Sequence, residues 1–270
     1  MSPLVERLFA WLGRACAVLV ASVPLAAGGV LIWLVLRALA GAPGAVPAGP
    51  LPSLIAASVG TAILAALVGG AIGVGCAVTA EELAPSPMRT AIATAIGFLG
   101  AMPAVAFGWF AASIVAPAIA NAPGALAPYA GAAAILAAMA APTACALTTR
   151  ALRRMPDAIR QAAAALGASR LQTTVMVLIP ALRRQIAAAG LAAFARAVVE
   201  ATTVQTLFAA LANANGSVSA TATSWILASA TVAPSVSVVE RLAPAALFAM
   251  LIAFGCALLV SREFRGLQWA

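Results

Sequence analysis

Residues 90–149 read "TAIATAIGFLGAMPAVAFGWFAASIVAPAIANAPGALAPYAGAAAILAAMAAPTACALTT", sixty positions without one charged side chain. A membrane-crossing helix needs about 20 apolar residues, so this run is too long for one span. The turn-rich "APAIANAPGALAP" (116–128) divides it into two. The rest of the chain follows suit: 64% of its residues are hydrophobic, 8% are charged and mean hydropathy is +1.08. Soluble domains carry roughly 25% charged residues. The reading is all-α, a polytopic membrane protein of about six transmembrane helices, forming a single domain over 1–270.

Outward from that run, the charges mark the remaining boundaries. Twenty-two uncharged residues lie between Arg14 and Arg37, and we read them as a retained first span. A signal peptide ending near Ala40 is the rival, but its apolar core would be about 7–15 residues. "GAPGAVPAGPLP" (41–52) makes an external loop, and a second helix is expected over Leu54 to Ala80. Gly69, Gly73 and Ala77 give that helix the small-residue spacing that lets backbones approach in a membrane. "EELAPSPMR" (81–89) is a short polar break. A fifth helix is expected from Ile186 to Ala210 and a sixth over Leu242–Val260, with a polar uncharged segment, 211–239, between them. Twelve of the fourteen arginines outside the spans fall on one side of this arrangement. The positive-inside rule therefore places both termini in the cytoplasm.

The net charge of +8 is carried by arginine alone, since there is neither lysine nor histidine. A Walker A loop needs its lysine, so this chain is not itself a P-loop ATPase. Histidine triads, zincin sites and Schiff-base lysines are excluded in the same way. Membrane orientation accounts for the arginines without nucleic acid. Cys16, Cys76, Cys145 and Cys256 stand alone in apolar runs, and no metal site is expected.

Two stretches carry the chemistry. In the cytoplasmic segment 150–185, Pro156 suits a first helical position, and Asp157 suits a helix N-terminus. Gln161, Ala162 and Ala163 lead to Gly167, a left-handed stop, and Ser169 can cap a second helix ending near Pro180. In the fifth helix, "ARAVVEATTV" (195–204) places Arg196 and Glu200 at i and i+4. On a continuous helix they share a face and can pair. Charges at membrane depth face a bundle interior or a pathway. Arg196 offers a planar fork for an oxyanion, with Glu200 as counter-ion and Thr202 and Thr203 as possible hydroxyl donors. A salt bridge that merely orients the helix is the alternative. Pro103, with Gly108, is expected to kink or thin the third span.

"QAAAALGASRLQTTVMVLIPAL" (161–182) resembles the coupling signature of ABC-importer permeases, E-A-A-x-x-x-G followed by a hydrophobic-proline step. Ala162, Ala163, Gly167 and Pro180 match, and Gln161 stands in place of the usual glutamate. "ELAP" (82–85), "GAMPAVAFGWF" (100–110) and "ARAVVEAT" (195–202) resemble the phosphate-uptake branch. Pro103, Val105, Phe107, Gly108, Arg196 and Glu200 fall on its pattern; Ala104 and Phe107 replace its common serine and tyrosine. The likeness spans about residues 50–260. It implies a type I ABC-importer permease in a prokaryotic cytoplasmic (inner) membrane, with Arg196, Glu200, Thr202, Thr203, Pro103 and Phe107 along the substrate pathway. Asp157, Gln161, Ala162, Ala163 and Gly167 would then couple to a cytoplasmic ABC ATPase dimer. That dimer would bind ATP and Mg, leaving this chain without a cofactor. A second homologous permease and an extracytoplasmic phosphate-binding protein complete the implied assembly, embedded in membrane lipid. Sulfate, molybdate or phosphonate remain alternative cargoes. A secondary transporter is the rival mechanism, although no convincing internal repeat supports it.

Overall fold

The structure, a computed structural model, describes residues 51–215, Thr221, 236–265 and the isolated helical positions 22, 26, 29, 30 and 33. The expected first span, apart from those positions, and both chain ends lie outside the described residues, as does most of the polar segment 211–239.

The described residues are helical. Helix α1, Leu51–Val78, runs into a π-helical turn, Thr79–Leu83. It is followed by α2 (Ser86–Ala101), α3 (Ala104–Ile119), α4 (Ala127–Arg154) and α5 (Asp157–Ala165). Then come α6 (Arg170–Ala181), α7 (Arg183–Val199), α8 (Thr202–Asn215) and α9 (Val236–Arg265). Among the described residues three helices, 53–83, 127–154 and 246–264, are long and apolar enough to cross a membrane. The count rises to five if each of two bent pairs, α2 with α3 and α6 with α7, is one span.

Alanine and glycine decide the packing. Helices α1 and α4 lie against each other over most of their length, and α7 packs on both and on α9. A Cβ added at Gly69 would strike the Ala137 carbonyl oxygen, and one added at Gly73 would strike that of Ala141. Ala140, Ala144, Ala189 and Ala193 fill the buried seam between α4 and α7. Such seams gain dispersion and weak polar contact instead of hydrophobic transfer, which lipid does not supply.

Three expected helices differ. The third span is not merely kinked: α2 and α3 meet at 95°. Met102 is extended (ψ 130°) because a residue before proline avoids the helical region, and Pro103 starts α3 as its N-cap. The second helix of segment 150–185 does end where expected, at Ala181 just past Pro180, and the chain then bends by 73° into α7. The expected fifth helix, 186–210, is two helices. Glu200 is extended (φ −75°, ψ 116°), α7 ends at Val199 and α8 begins at Thr202. The last helix starts earlier and ends later than Leu242–Val260.

Candidate functional site

The break at Glu200 undoes the expected ion pair. No salt bridge or hydrogen bond joins Arg196 to Glu200 among the described residues. Glu200 turns instead to the start of α8. Its Oε1 accepts from the Thr202 hydroxyl at 2.6 Å, the Thr203 backbone N–H at 3.3 Å and the Thr203 hydroxyl at 3.2 Å. A carboxylate on the orphan N–H groups of a helix start is favourable. The two threonines expected as substrate donors are therefore engaged, and Thr203 is buried, also donating to the Ala104 carbonyl at 3.1 Å.

Arg196 and Phe107 do come together. They line a cavity of about 150 Å³ with Met102, Met139, Pro142 and Thr143. It sits in the elbow of the α2–α3 break, where the last carbonyls of α2 lose their helical partners. Arg196 shares the cavity with Leu99 and Gly100 of that helix end, and the negative end of a helix dipole is a favourable neighbour for a guanidinium. Pro103 does not line the cavity; it builds the elbow. Glu200 opens on a different void, of about 10 Å³, with Ser58, Thr61 and Thr221. That is room for roughly one water.

The segment 150–185 folds as its residues dictate. Asp157 opens α5, with Pro156 one position earlier than expected, as N-cap. Gly167 has φ 81°, and a Schellman closure follows: the Gly167 N–H donates to the Ala164 carbonyl (2.9 Å) and the Ala168 N–H to that of Ala163 (3.1 Å). Ser169 and Gln172 make a reciprocal capping box at the start of α6. Ala163 packs inward, whereas Gln161, Ala162, Ala164 and Ala165 face out and Leu166 is 89% exposed. The result is a short rigid helix with a small-residue flank and an apolar tip.

Sequence reasoning passed over Glu81 and Glu82, which anchor this helix. The Arg160 guanidinium meets Glu82 with both prongs, Nη2 to Oε1 at 2.7 Å and Nε to Oε2 at 3.2 Å. It also donates to Asp157 (3.1 Å) and to the carbonyls of Leu152 (3.0 Å) and Met155 (3.2 Å). Hydrogen bonding to Glu82 raises the Arg160 pKa above its usual value. Beside it Arg153 reaches Glu81 at 2.8 Å. Arg89 caps the π-helical turn, donating to the carbonyls of Ala80 and Glu81, each at 2.8 Å. These groups surround a cavity of about 250 Å³. One signal was available in the sequence: two glutamates at a helix C-terminus oppose its dipole, so they require cations from elsewhere.

No family model matches the chain. A probable ABC transporter permease protein, YqgH, of Bacillus subtilis (strain 168) is 31% identical to it over 159 residues, which is 58% of this chain. The matched stretch is 51% of that protein, so the chain spans about half the length of the curated relative it matches.

Proposed function

We propose that this chain is a permease subunit of an ATP-driven ABC importer and that it carries inorganic phosphate across a prokaryotic cytoplasmic membrane. The observation that carries the reading is α5. Its outward flank of Gln161, Ala162, Ala164 and Ala165 and its bare Leu166 tip form a compact knob on a fixed stem. A knob of this shape suits a groove of a cytoplasmic ATPase, and the likeness to a probable ABC permease supports that occupant. The ATPase dimer would bind ATP and Mg. A second homologous permease and an extracytoplasmic phosphate-binding protein would complete the importer.

In this mechanism ATP binding draws the ATPases together and displaces α5, and the spans then exchange outward and inward access. No covalent step occurs in this chain. Arg196 would meet the anion from the elbow between α2 and α3, offering planar donors that match oxyanion geometry. With few other donors around it the grip is loose, which favours release over trapping. Sulfate, molybdate or phosphonate would satisfy the same chemistry and are the alternative cargoes.

Uptake of radiolabelled phosphate at low external concentration tests the reading in cells with and without the chain. Expected is loss without it, restored by the intact chain but not by Arg196→Ala. Competition with unlabelled sulfate, molybdate and phosphonate identifies the cargo. Uptake that persists after ATP depletion with the membrane potential held would instead favour a secondary transporter.

A further inference from the structure

The stem of α5 has more to say than its tip. Helix α5 has nine residues, and its apolar anchorage is slight: Ala163 is buried, and Ile159 packs against the cluster of Val78, Leu152, Met155 and Leu178. A helix this short has little stability of its own. What ties it down is Arg160. A guanidinium has five N–H donors, and Arg160 makes five hydrogen bonds. Two go to Glu82, two to the closing carbonyls of α4 and one to Asp157. Its side chain is 27% exposed and that of Glu82 10%, so water competes poorly for the pair. Glu82 is itself held, because its π-helical turn is closed by Arg89 from α2 and pinned by Arg153 from α4.

We propose that Arg160 and Glu82 are the tie through which displacement of α5 reaches α1, making them positioning residues for energy coupling. The inference rests on the importer reading. The path is continuous in named contacts. A push on the α5 knob moves Arg160, Arg160 moves Glu82 through two directed bonds, and Glu82 sits on the π-helical turn that continues α1. Along α1, Gly69 and Gly73 lie backbone to backbone against α4, so α1 and α4 move as one unit. Along the chain, α5 is joined to its neighbours only through extended backbone, at Met155 and Pro156 on one side and at Ser169 on the other. These transmit position poorly. Lysine could not replace Arg160, since an ammonium has three donors and no planar fork.

Two readouts on the full-length protein in its membrane complex test the tie. The first is amide hydrogen exchange over residues 157–168, which needs no transport. Glu82→Gln should accelerate it about tenfold or more, the scale of losing a charged hydrogen bond. The second is phosphate transported per ATP hydrolysed. Glu82→Gln and Arg160→Lys should keep the ATPase bound and hydrolysing while uptake falls to about a tenth or less, as loss of such a bond implies. The exchanged pair Glu82→Arg with Arg160→Glu should recover part of it. Unchanged exchange in Glu82→Gln would overturn the tie. Faster exchange with wild-type transport per ATP would overturn its role in coupling. If the wild-type complex shows no ATP-driven uptake while exchange still responds, the importer reading falls and the coupling role falls with it, leaving the tie as anchorage alone.

Discussion

Arg196 and Glu200 are four residues apart and no ion pair joins them, while Arg160 and Glu82 are 78 residues apart and close a two-pronged salt bridge. Both pairs look interpretable in the sequence, and helical spacing favours the first. The difference lies in the backbone. Spacing of i and i+4 brings side chains together only on an unbroken helix, and Glu200 is where the helix breaks. The distant pair meets because α1 and α4 run side by side and end together, where Arg153 reaches Glu81. Helix α5 then follows the end of α4, and its Arg160 reaches Glu82 on the turn that closes α1. Proximity along the chain is a weaker predictor than a shared end in space.

That comparison can be broken most severely through the seam that aligns α1 with α4. Gly73→Leu would drive a side chain into the Ala141 carbonyl. Overpacking of this kind costs about 1–3 kcal/mol or more. We expect little monodisperse protein by size-exclusion chromatography of detergent extracts, because the network of Glu81, Glu82, Arg153 and Arg160 loses its alignment with the fold. Normal yield would mean that α1 can slide and the two helix ends need not be level.

Arg196→Ala comes next. It should abolish uptake yet leave the thermal midpoint nearly unchanged, because no described ion pair is lost. A large fall in the midpoint would restore the structural role and sink the anion site. Arg160→Ala should lower the midpoint noticeably, since it strands a largely buried Glu82. Removing one partner of a charged hydrogen bond costs about 1.5–3 kcal/mol. Equal midpoints for Arg160→Ala and wild type would erase the contrast between the two regions.

Smaller effects sharpen the contrast. Glu200→Gln removes the negative charge at the start of α8, worth about 0.3–1 kcal/mol, with no change attributable to Arg196. If Arg196→Ala and Glu200→Gln were strongly non-additive in a double-mutant cycle, the two would be coupled after all. Arg153→Ala should do least. That side chain is 66% exposed, and exposed pairs contribute roughly 0.2–1 kcal/mol.

Much of the local structure was legible. Gly167 takes the left-handed turn, Ser169 caps α6 with Gln172, and Pro103 interrupts the third span. Each follows from the chemistry of one residue and its nearest neighbours. The small-residue spacing of Gly69 and Gly73 also marked the face on which α1 packs. The break at Glu200 was not legible, because "ARAVVEATTV" holds neither proline nor glycine and its propensities favour a continuous helix. Thr202 and Thr203 read as hydroxyls for a substrate, yet they serve the cap of α8. Glu81 and Glu82 read as a polar break, since nothing nearby in sequence neutralises them.

The sequence by itself determined that the chain is a membrane-embedded helical protein without lysine or histidine chemistry, and it marked the stops at Pro103, Gly167 and Pro180. Those properties are sums over single residues or over windows of a few turns. Tertiary structure alone decided which arginine meets which glutamate and which side chains share a cavity with Arg196. It also decided how firmly α5 is held. A charge pair depends on the distance between two points in space, and in a helical bundle that distance is set by how whole helices align along glycine and alanine seams, not by the number of residues between them.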